Sequence, residues 1–348
     1  MKFSRWVRVA GIVKSSRWVR VAGIVKSRRW VRVAVPVVVT IALLFFLLRA
    51  VHLDELAETL SDVSPGLALL GALAAFGFVA ARAFRYRLLL GNGQPRRMRT
   101  ILAVTLSSWG ASLILPGPSG DAAFVMLART RLTAPVAVGV GAALLSRLLD
   151  VASLLLVALI TAPLAGVILP RALLGGGVAL ALLIAVGLTA LFWSRPRGAI
   201  VGWLERLSLP ASLHERLHFA IEELGSGSRP ALLVAATVGA RVATGLQYFA
   251  LFAAIDQPLS LVQVWFALSI RTLLLAVPIQ GVVGLGTMQV WWTAALTLLG
   301  WPVGDAIAAS LAVHLLDLCV SLPQAALGWL TLTVSATEQP RSGVAQRR

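Results

Sequence analysis

Long apolar runs dominate this sequence and decide what it can fold into. A helix needs about 20 apolar residues to cross the roughly 30 Å hydrocarbon core of a bilayer. Six runs have about that length or more: residues 33–51, 66–90, 134–163, 172–193, 230–254 and 303–334. Only 13% of the residues are charged, against about 25% in soluble domains. The sequence therefore predicts an all-α, polytopic integral membrane helix bundle.

Two further apolar stretches are interrupted by helix-breaking residues. Residues 100–128 contain "LPGPSGD", and residues 261–300 contain "VPIQGVVGLG". Irregular backbone at membrane depth survives only inside protein or beside a water-filled cavity. We predict that each stretch forms a re-entrant or broken helix pair.

The charges of the connecting segments predict the orientation. Cytoplasmic segments are rich in Lys and Arg, which places the leader 1–32, the loop 194–229 and the tail 335–348 in the cytoplasm. The acidic segment "HLDELAETLSDVSP" then lies outside. We expect a transmembrane domain over residues 33–334, both termini cytoplasmic, in a bacterial-type cytoplasmic (plasma) membrane.

The leader consists of near-identical copies of "SRWVRVAGIVKS", a 12-residue tandem repeat. It contains basic residues and no acid. Twelve residues turn a helix by three turns and a third, so the Arg residues of successive copies build no single basic face. We expect the leader to hold the N-terminus inside and to contact anionic inner-leaflet lipids. No soluble basic domain is predicted, which argues against nucleic acid as a partner.

The transmembrane domain contains a second, weaker repeat, over about 66–163 and about 230–334. Each half has an Arg-bearing apolar helix, then a Leu-Ser pair nine residues before Pro116 or Pro278, then a Gly-rich break. Each half closes with a similar helix, "SRLLD" or "VHLLD". The orientation above runs the two Arg-bearing helices in opposite directions. We therefore predict inverted repeats, a common transporter architecture.

Ionisable residues inside spans are costly and are usually paired or functional. Arg147 and Asp150 share one helix face and could pair directly, and His314 and Asp317 repeat that spacing. These pairs are either structural contacts buried in the bundle or parts of a substrate site.

Three arginines and two residues after the breaks complete the polar candidates. Arg85 is near the cytoplasmic end of its span, where it either snorkels to the interface or binds substrate. Arg241 and Arg271 are expected deeper in the membrane. Asp121 and Gln289 follow the two breaks and either contact a head group or cap helices.

The breaks themselves are candidate binding positions. Helix N-termini that enter the core carry partial positive charge and free N–H groups, which suit an anion such as a phosphate. The candidates there are Pro116, Gly117, Gly120, Pro278, Gly284 and Gly286.

Five segments together resemble the lysylphosphatidylglycerol synthase transmembrane family, also described as flippase-like. They are "RAFRYRLLL", "ILPGPSGD", "SRLLD", "PIQGVVGLGTMQ" and "LAVHLLDL", and the resemblance covers roughly residues 35–335. It implies a multi-pass bundle that moves or handles lipids, in some members an aminoacylated phospholipid. Where the family carries Arg, Glu and Arg after its first break, this chain has Pro118, Asp121 and Phe124. Ser146 and Gln289 stand at two further family Glu positions.

The resemblance leads to an expected function. No soluble aminoacyl-transfer domain follows residue 334, so we expect no enzyme and no cofactor. We expect a flippase-like protein for an anionic or phosphate-bearing lipid, either a membrane phospholipid or a polyprenyl-linked lipid. The alternative is an accessory subunit that partners an envelope glycosyltransferase or lipid-modifying enzyme.

A motif of another class lies in the loop 194–229. "HERLH" places His214, Glu215 and His218 as H-E-x-x-H, which on a helix can bind zinc with Glu as general base. Its apolar residues among Arg and Glu also fit an amphipathic surface helix. The zinc metalloprotease remains a remote alternative.

Overall fold

The structure, a computed structural model, describes residues 62–91, 96–115, 118–192, 202, 229–257, 259–275 and 281–337. Regular structure in these ranges is helical, as predicted. The helices are α1 (Pro65–Leu89), α2 (Met98–Ile114), α3 (Ser119–Arg131), α4 (Val136–Leu164), α5 (Arg171–Phe192), α6 (Pro230–Ala254), α7 (Leu261–Leu274), α8 (Thr287–Leu298) and α9 (Val303–Thr337), with a 3-10 turn at Val282–Gly284. The leader, the run 33–51, nearly all of the loop 194–229 and the tail from residue 338 lie outside the described residues.

Five of these helices, namely α1, α4, α5, α6 and α9, are long and apolar enough to cross a bilayer. Their outward faces carry large apolar side chains. Leu69, Leu182 and Leu327, for example, are each more than 60% exposed. Such faces are suited to lipid tails, which are as apolar as leucine itself. The helices therefore build a multi-pass membrane bundle.

Each interrupted stretch forms a pair of short helices, as predicted. α2 and α3 flank the first break, and α7 and α8 flank the second. At 1.5 Å per residue, none of the four covers the roughly 30 Å hydrocarbon core alone. Gly120 lets α3 start against α2, because an added Cβ would lie 2.7 Å from the Cβ of Ser112. Pro116, Gly117 and Pro278 lie outside the described residues.

The second break contains backbone that few side chains tolerate. Val283 has φ +56°, and Gly284 and Gly286 have φ +69° and +82°. A positive φ is unusual for a β-branched residue. Hydrogen bonds hold the segment, because Gly281 N–H donates to Thr287 Oγ1 at 3.2 Å and Thr287 Oγ1 donates to the Gly284 carbonyl at 3.2 Å.

α1 and α6 form an antiparallel pair along their whole lengths. The N–H of Ser64, just before α1, donates to the carbonyl of Ala254 at the end of α6. Further along α1, Gly77 faces Ala243, and Ala81 faces Gly239. The equivalent helices of the two halves thus run in opposite directions, as an inverted repeat requires.

The remaining packing is paired in the same way. α2 packs on α9, and its counterpart α7 packs on α4, which is the counterpart of α9. The contacts α2–α3 and α3–α4 likewise have counterparts in α7–α8 and α8–α9. When each helix of one half is replaced by its counterpart in the other, the same helix–helix contacts are obtained. The packing supports two related halves, and their inversion across the membrane stays a prediction.

Replacing Gly245 by Ala should loosen the contact between α6 and α7. An added Cβ would lie 1.9 Å from Nε1 of Trp265, whose indole donates to the Arg241 carbonyl at 3.3 Å. We expect a loss of about 1–3 kcal/mol in unfolding free energy, because the rigid indole must move. SDS titration of the purified protein measures it. The matched control is Gly239→Ala on the same helix, where the nearest atom is 3.9 Å away. Equal stability of the two variants would contradict this packing.

Candidate functional site

Asp150 on α4 is the centre of a buried ion-pair network that joins the two halves. Arg85 on α1 donates from Nη1 and Nη2 to the two Asp150 oxygens, each at 3.0 Å. Arg241 on α6 donates from Nη2 to Oδ1 at 2.7 Å. Arg85 also donates to the Ser146 hydroxyl at 2.8 Å, and its side chain is fully buried. One carboxylate therefore holds two guanidinium groups from different halves.

A second carboxylate lies next to this network. Asp121, in the first turn of α3, accepts a hydrogen bond from Arg147 on α4. Arg82 lies on the other side, with Nη2 3.7 Å from Asp121 Oδ1. Arg82 and Arg85 are one turn apart on α1, so the two groups of charges are contiguous. We call the six residues the arginine–aspartate cluster: Arg82, Arg85, Asp121, Arg147, Asp150 and Arg241.

Two predictions about these residues are wrong. Arg147 and Asp150 do not pair with each other, because each has a partner on another helix. Arg85 does not snorkel to an interface, since its guanidinium is buried and bound to Asp150. For Asp121, a head group or a helix cap was expected; the described contacts show no cap, and its carboxylate binds Arg147.

The cluster carries more positive than negative charge. It contains four arginines and two aspartates, which leaves an excess of two positive charges. The Nε atoms of Arg82, Arg85 and Arg241 are buried and have no hydrogen-bond acceptor within the part of the chain that the structure describes. One edge is open, since the Arg147 side chain is 55% exposed. The cluster can therefore accept an anion from outside the chain.

The second half has a different arrangement around Asp317 on α9. Gln247 donates to Asp317 Oδ1 at 2.7 Å, Tyr248 to Oδ2 at 2.9 Å and Ser321 to Oδ1 at 2.9 Å. His314 instead lies 2.8 Å from the Gln289 amide. The expected His314–Asp317 pair is therefore wrong as well. Within the described residues, all the direct partners of this buried carboxylate are neutral.

Arg271 on α7 lies against aromatic rings beside the second break. Its guanidinium carbon is 5.2 Å from the Tyr248 ring centre and 5.3 Å from that of Trp292. Its Nη2 donates to the Met288 sulfur at 3.3 Å. Its side chain is buried inside the bundle, and its depth in the membrane stays a prediction.

The chain has only two tyrosines, and they align the two halves. Tyr86 stacks on Phe124 in the first half, and Tyr248 packs against Trp292 in the second. The same alignment gives further equivalent positions in the two halves. They are Arg85 and Gln247, Asp121 and Gln289, Arg147 and His314, and Asp150 and Asp317. The sequence analysis did not propose Gln247, Tyr248 and Trp292 as site residues. Aligning the two halves on their tyrosines could have revealed them.

The alignment on the tyrosines changes the interpretation of Arg241. The Arg-bearing helices suggested that Arg85 and Arg241 are counterparts, yet Arg85 corresponds to Gln247. Arg241 instead reaches from the second half to the carboxylate of the first. The two halves therefore differ in chemistry, because the first holds its carboxylates with arginines and the second with neutral donors.

The remaining candidates have mostly structural contacts. Gly284 lies against Met288 and His314, and the Gly286 N–H donates to Gln289 Oε1 at 2.7 Å. Gln289 thus caps α8 from inside the bundle. His214, Glu215 and His218 lie outside the described residues. Among the residues that are described, no group of three or more His, Cys, Asp or Glu side chains could hold a metal ion.

Comparison with known proteins identifies the family. Residues 33–323 match the family model described as "Lysylphosphatidylglycerol synthase TM region". Neither the curated proteins nor the solved structures give a significant match. The match covers most of the chain, and it includes both short helix pairs and the arginine–aspartate cluster. The chain therefore belongs to the lysylphosphatidylglycerol synthase transmembrane family, and it is a multi-pass membrane protein.

Proposed function

We propose that this chain translocates an anionic or phosphate-bearing lipid across a bacterial-type cytoplasmic membrane and catalyses no reaction of its own. The observation that carries the proposal is the excess of two positive charges in the arginine–aspartate cluster. Membership of a lipid-related family supports it.

The energetics of buried charge favour an anionic ligand. A cation without a counter-charge inside a membrane protein costs several kcal/mol. Lipid phosphates can accept bidentate hydrogen bonds from guanidinium groups. An anionic head group at the open edge of the cluster would neutralise part of the excess, while its tails stay in the bilayer. Zwitterionic lipids offer less net charge and should bind more weakly.

The cluster is also built in a way that suits alternating exposure. Three of its helices, α1, α3 and α4, belong to the first half, while Arg241 comes from α6 of the second half. Any movement of one half against the other must alter the Arg241–Asp150 contact. Secondary transporters commonly bind substrate between two repeats that rock against each other.

Lipid translocation in proteoliposomes tests the proposal. Purified protein is reconstituted with fluorescent anionic or zwitterionic phospholipid, and a membrane-impermeant quencher reports the leaflet. Arg147→Ala should slow movement of the anionic lipid about tenfold, because it removes one charged hydrogen-bond donor. Since Arg147 is largely exposed, the fold should persist.

Arg171→Ala is the matched control, because Arg171 is exposed at the start of α5 and outside the cluster. It should translocate lipid at the wild-type rate. If lipid moves no faster with wild-type protein than in empty liposomes, under any ion gradient, translocation is refuted. If wild type and Arg147→Ala translocate the anionic lipid at equal rates, the arginine–aspartate cluster does not take part in translocation.

A further inference from the structure

We infer that Arg271 binds phosphate oxygens, forming a second anion site in the half of the chain opposite the arginine–aspartate cluster. The inference rests on the proposed function where it takes the phosphate to be that of a lipid. The shared chemistry is a phosphate group, either on a lipid head or free in solution.

Arg271 is a buried cation that donates to no carboxylate oxygen among the described residues, although the Tyr248 hydroxyl lies within hydrogen-bonding reach. Arg271 is 7% exposed, and its Nε is buried without a hydrogen-bond partner among the described residues. Its Nη2 donates to the Met288 sulfur at 3.3 Å, and a thioether is a weak acceptor. Buried guanidinium groups normally satisfy their five N–H donors with carboxylate, carbonyl or phosphate oxygens.

Asp317 attracts Arg271 electrostatically, but no direct hydrogen bond or ion pair joins the two in the described part of the chain. Asp317 accepts its hydrogen bonds from Gln247, Tyr248 and Ser321, which occupy both of its oxygens. In the first half, by contrast, Asp150 holds Arg85 and Arg241 directly. The second half has an arginine and an aspartate too, but neutral donors satisfy the aspartate. The Nε of Arg271 is thereby left without an acceptor in the described part of the chain.

The aromatic residues hold the guanidinium mainly through the faces of their rings. Tyr248 and Trp292 lie 5.2 and 5.3 Å from its central carbon. Cation–π attraction acts through the face of the ring, so the N–H groups stay available for hydrogen bonds. The Tyr248 hydroxyl is fixed by Asp317, which keeps that ring in place. The rings therefore orient a cation that is ready to bind an anion.

The start of α8 lies at the same position. Met288, which Arg271 contacts, is the second residue of α8. The first N–H groups of a helix have no intrahelical partner and carry partial positive charge. The adjacent residues Val283, Gly284 and Leu285 are partly exposed, so an anion can approach there. Guanidinium and helix N-terminus together match the charge and the several oxygens of a phosphate.

Photo-crosslinking of the purified full-length protein locates such a ligand. The probe is a short-chain phosphatidic acid with a photoreactive group next to the phosphate, and mass spectrometry maps the crosslinked peptides. We expect crosslinks in α7 and α8 of the wild type. Arg271→Gln should reduce them about tenfold. Arg271→Lys should give an intermediate yield, because lysine keeps the charge without the planar fork.

Two controls make the result specific. Arg171→Gln, at an exposed position on α5, should leave the α7–α8 crosslinks unchanged. Crosslinks in α3 and α4, around the arginine–aspartate cluster, should persist in Arg271→Gln and thereby report a folded protein. Competition by inorganic phosphate would indicate that the site accepts free phosphate. Failure to compete would indicate a phosphate that must arrive on a lipid.

The outcomes separate this site from the proposed function. No α7–α8 crosslinks in the wild type, or an undiminished yield in folded Arg271→Gln, would overturn the Arg271 site. Translocation in proteoliposomes could still proceed in that case. If instead the crosslinks depend on Arg271 but no lipid is translocated, the site stands as a binding site and the transport proposal fails.

Discussion

Replacing Asp150 by Asn is expected to destabilise the protein by about 3–5 kcal/mol, because it breaks a buried charge network by removing one partner. Asparagine keeps the shape of the side chain but removes the negative charge. Arg85, which is fully buried, then loses the counter-charge that it binds, and Arg241 loses its ion-pair partner too. Ser146 and Thr237 are neutral acceptors and cannot replace it. SDS titration in mixed micelles measures the loss.

Asp305→Asn is the matched control for this prediction. Asp305 is exposed in the first turn of α9, so the same chemical change should cost little there. The double variant Asp150→Asn with Arg85→Met should lose less than the sum of the two single variants, since it removes both a charge and its partner. If Asp150→Asn and Asp305→Asn unfold at the same SDS fraction, the network does not stabilise the bundle.

Replacing Gly328 by Ala is expected to cost about 3 kcal/mol, because overpacking against backbone cannot be relieved by a rotamer change. An added Cβ would lie 2.5 Å from Leu106 Cβ and 2.9 Å from the backbone nitrogen of Ser107. α9 would have to move away from α2. The same crossing is also tight at Gly110, where an added Cβ would lie 2.4 Å from Ala325 Cβ. Small residues allow such close approach of membrane helices.

Gly304→Ala on the same helix separates this packing effect from helix propensity. Gly304 is exposed, and nothing lies within 4 Å of an added Cβ. Alanine there should be neutral or should stabilise α9 by up to about 1 kcal/mol. Thermal unfolding followed by tryptophan fluorescence compares the two variants. A Gly328→Ala protein as stable as Gly304→Ala would mean that α2 and α9 do not touch at this point.

The helices could be predicted from hydropathy because membrane thickness sets their length. The predicted run 230–254 coincides with α6, and 303–334 ends three residues before α9 does. The Pro- and Gly-containing breaks were also predictable, since neither residue type continues a helix comfortably. These features depend on local sequence and on the bilayer alone.

The partners of the buried charges could not be predicted in the same way. Arg147 and Asp150 have a spacing that favours pairing on one helix, but such a pair contributes only about 0.2–0.5 kcal/mol. Contacts between helices decide instead, and Arg85 meets Asp150 from 65 positions away in sequence. The residues 146–150 contain no sign of which helix will lie opposite. The two tyrosines and the Leu-Ser and Pro landmarks indicate how the halves superimpose, but they do not indicate which charges will pair.

The antiparallel pairing of α1 and α6 also sets an order of events during synthesis. Ala81 meets Gly239, and that contact must wait until α6 has been made. At about 5–20 residues per second, the wait is roughly 10–30 s. Arg85 can meet Asp150 earlier, but Arg241 arrives only with α6. Until then the inner face of α1 stays without its main partner. The first half is therefore expected to depend on membrane chaperones or to be open to proteolysis for that interval.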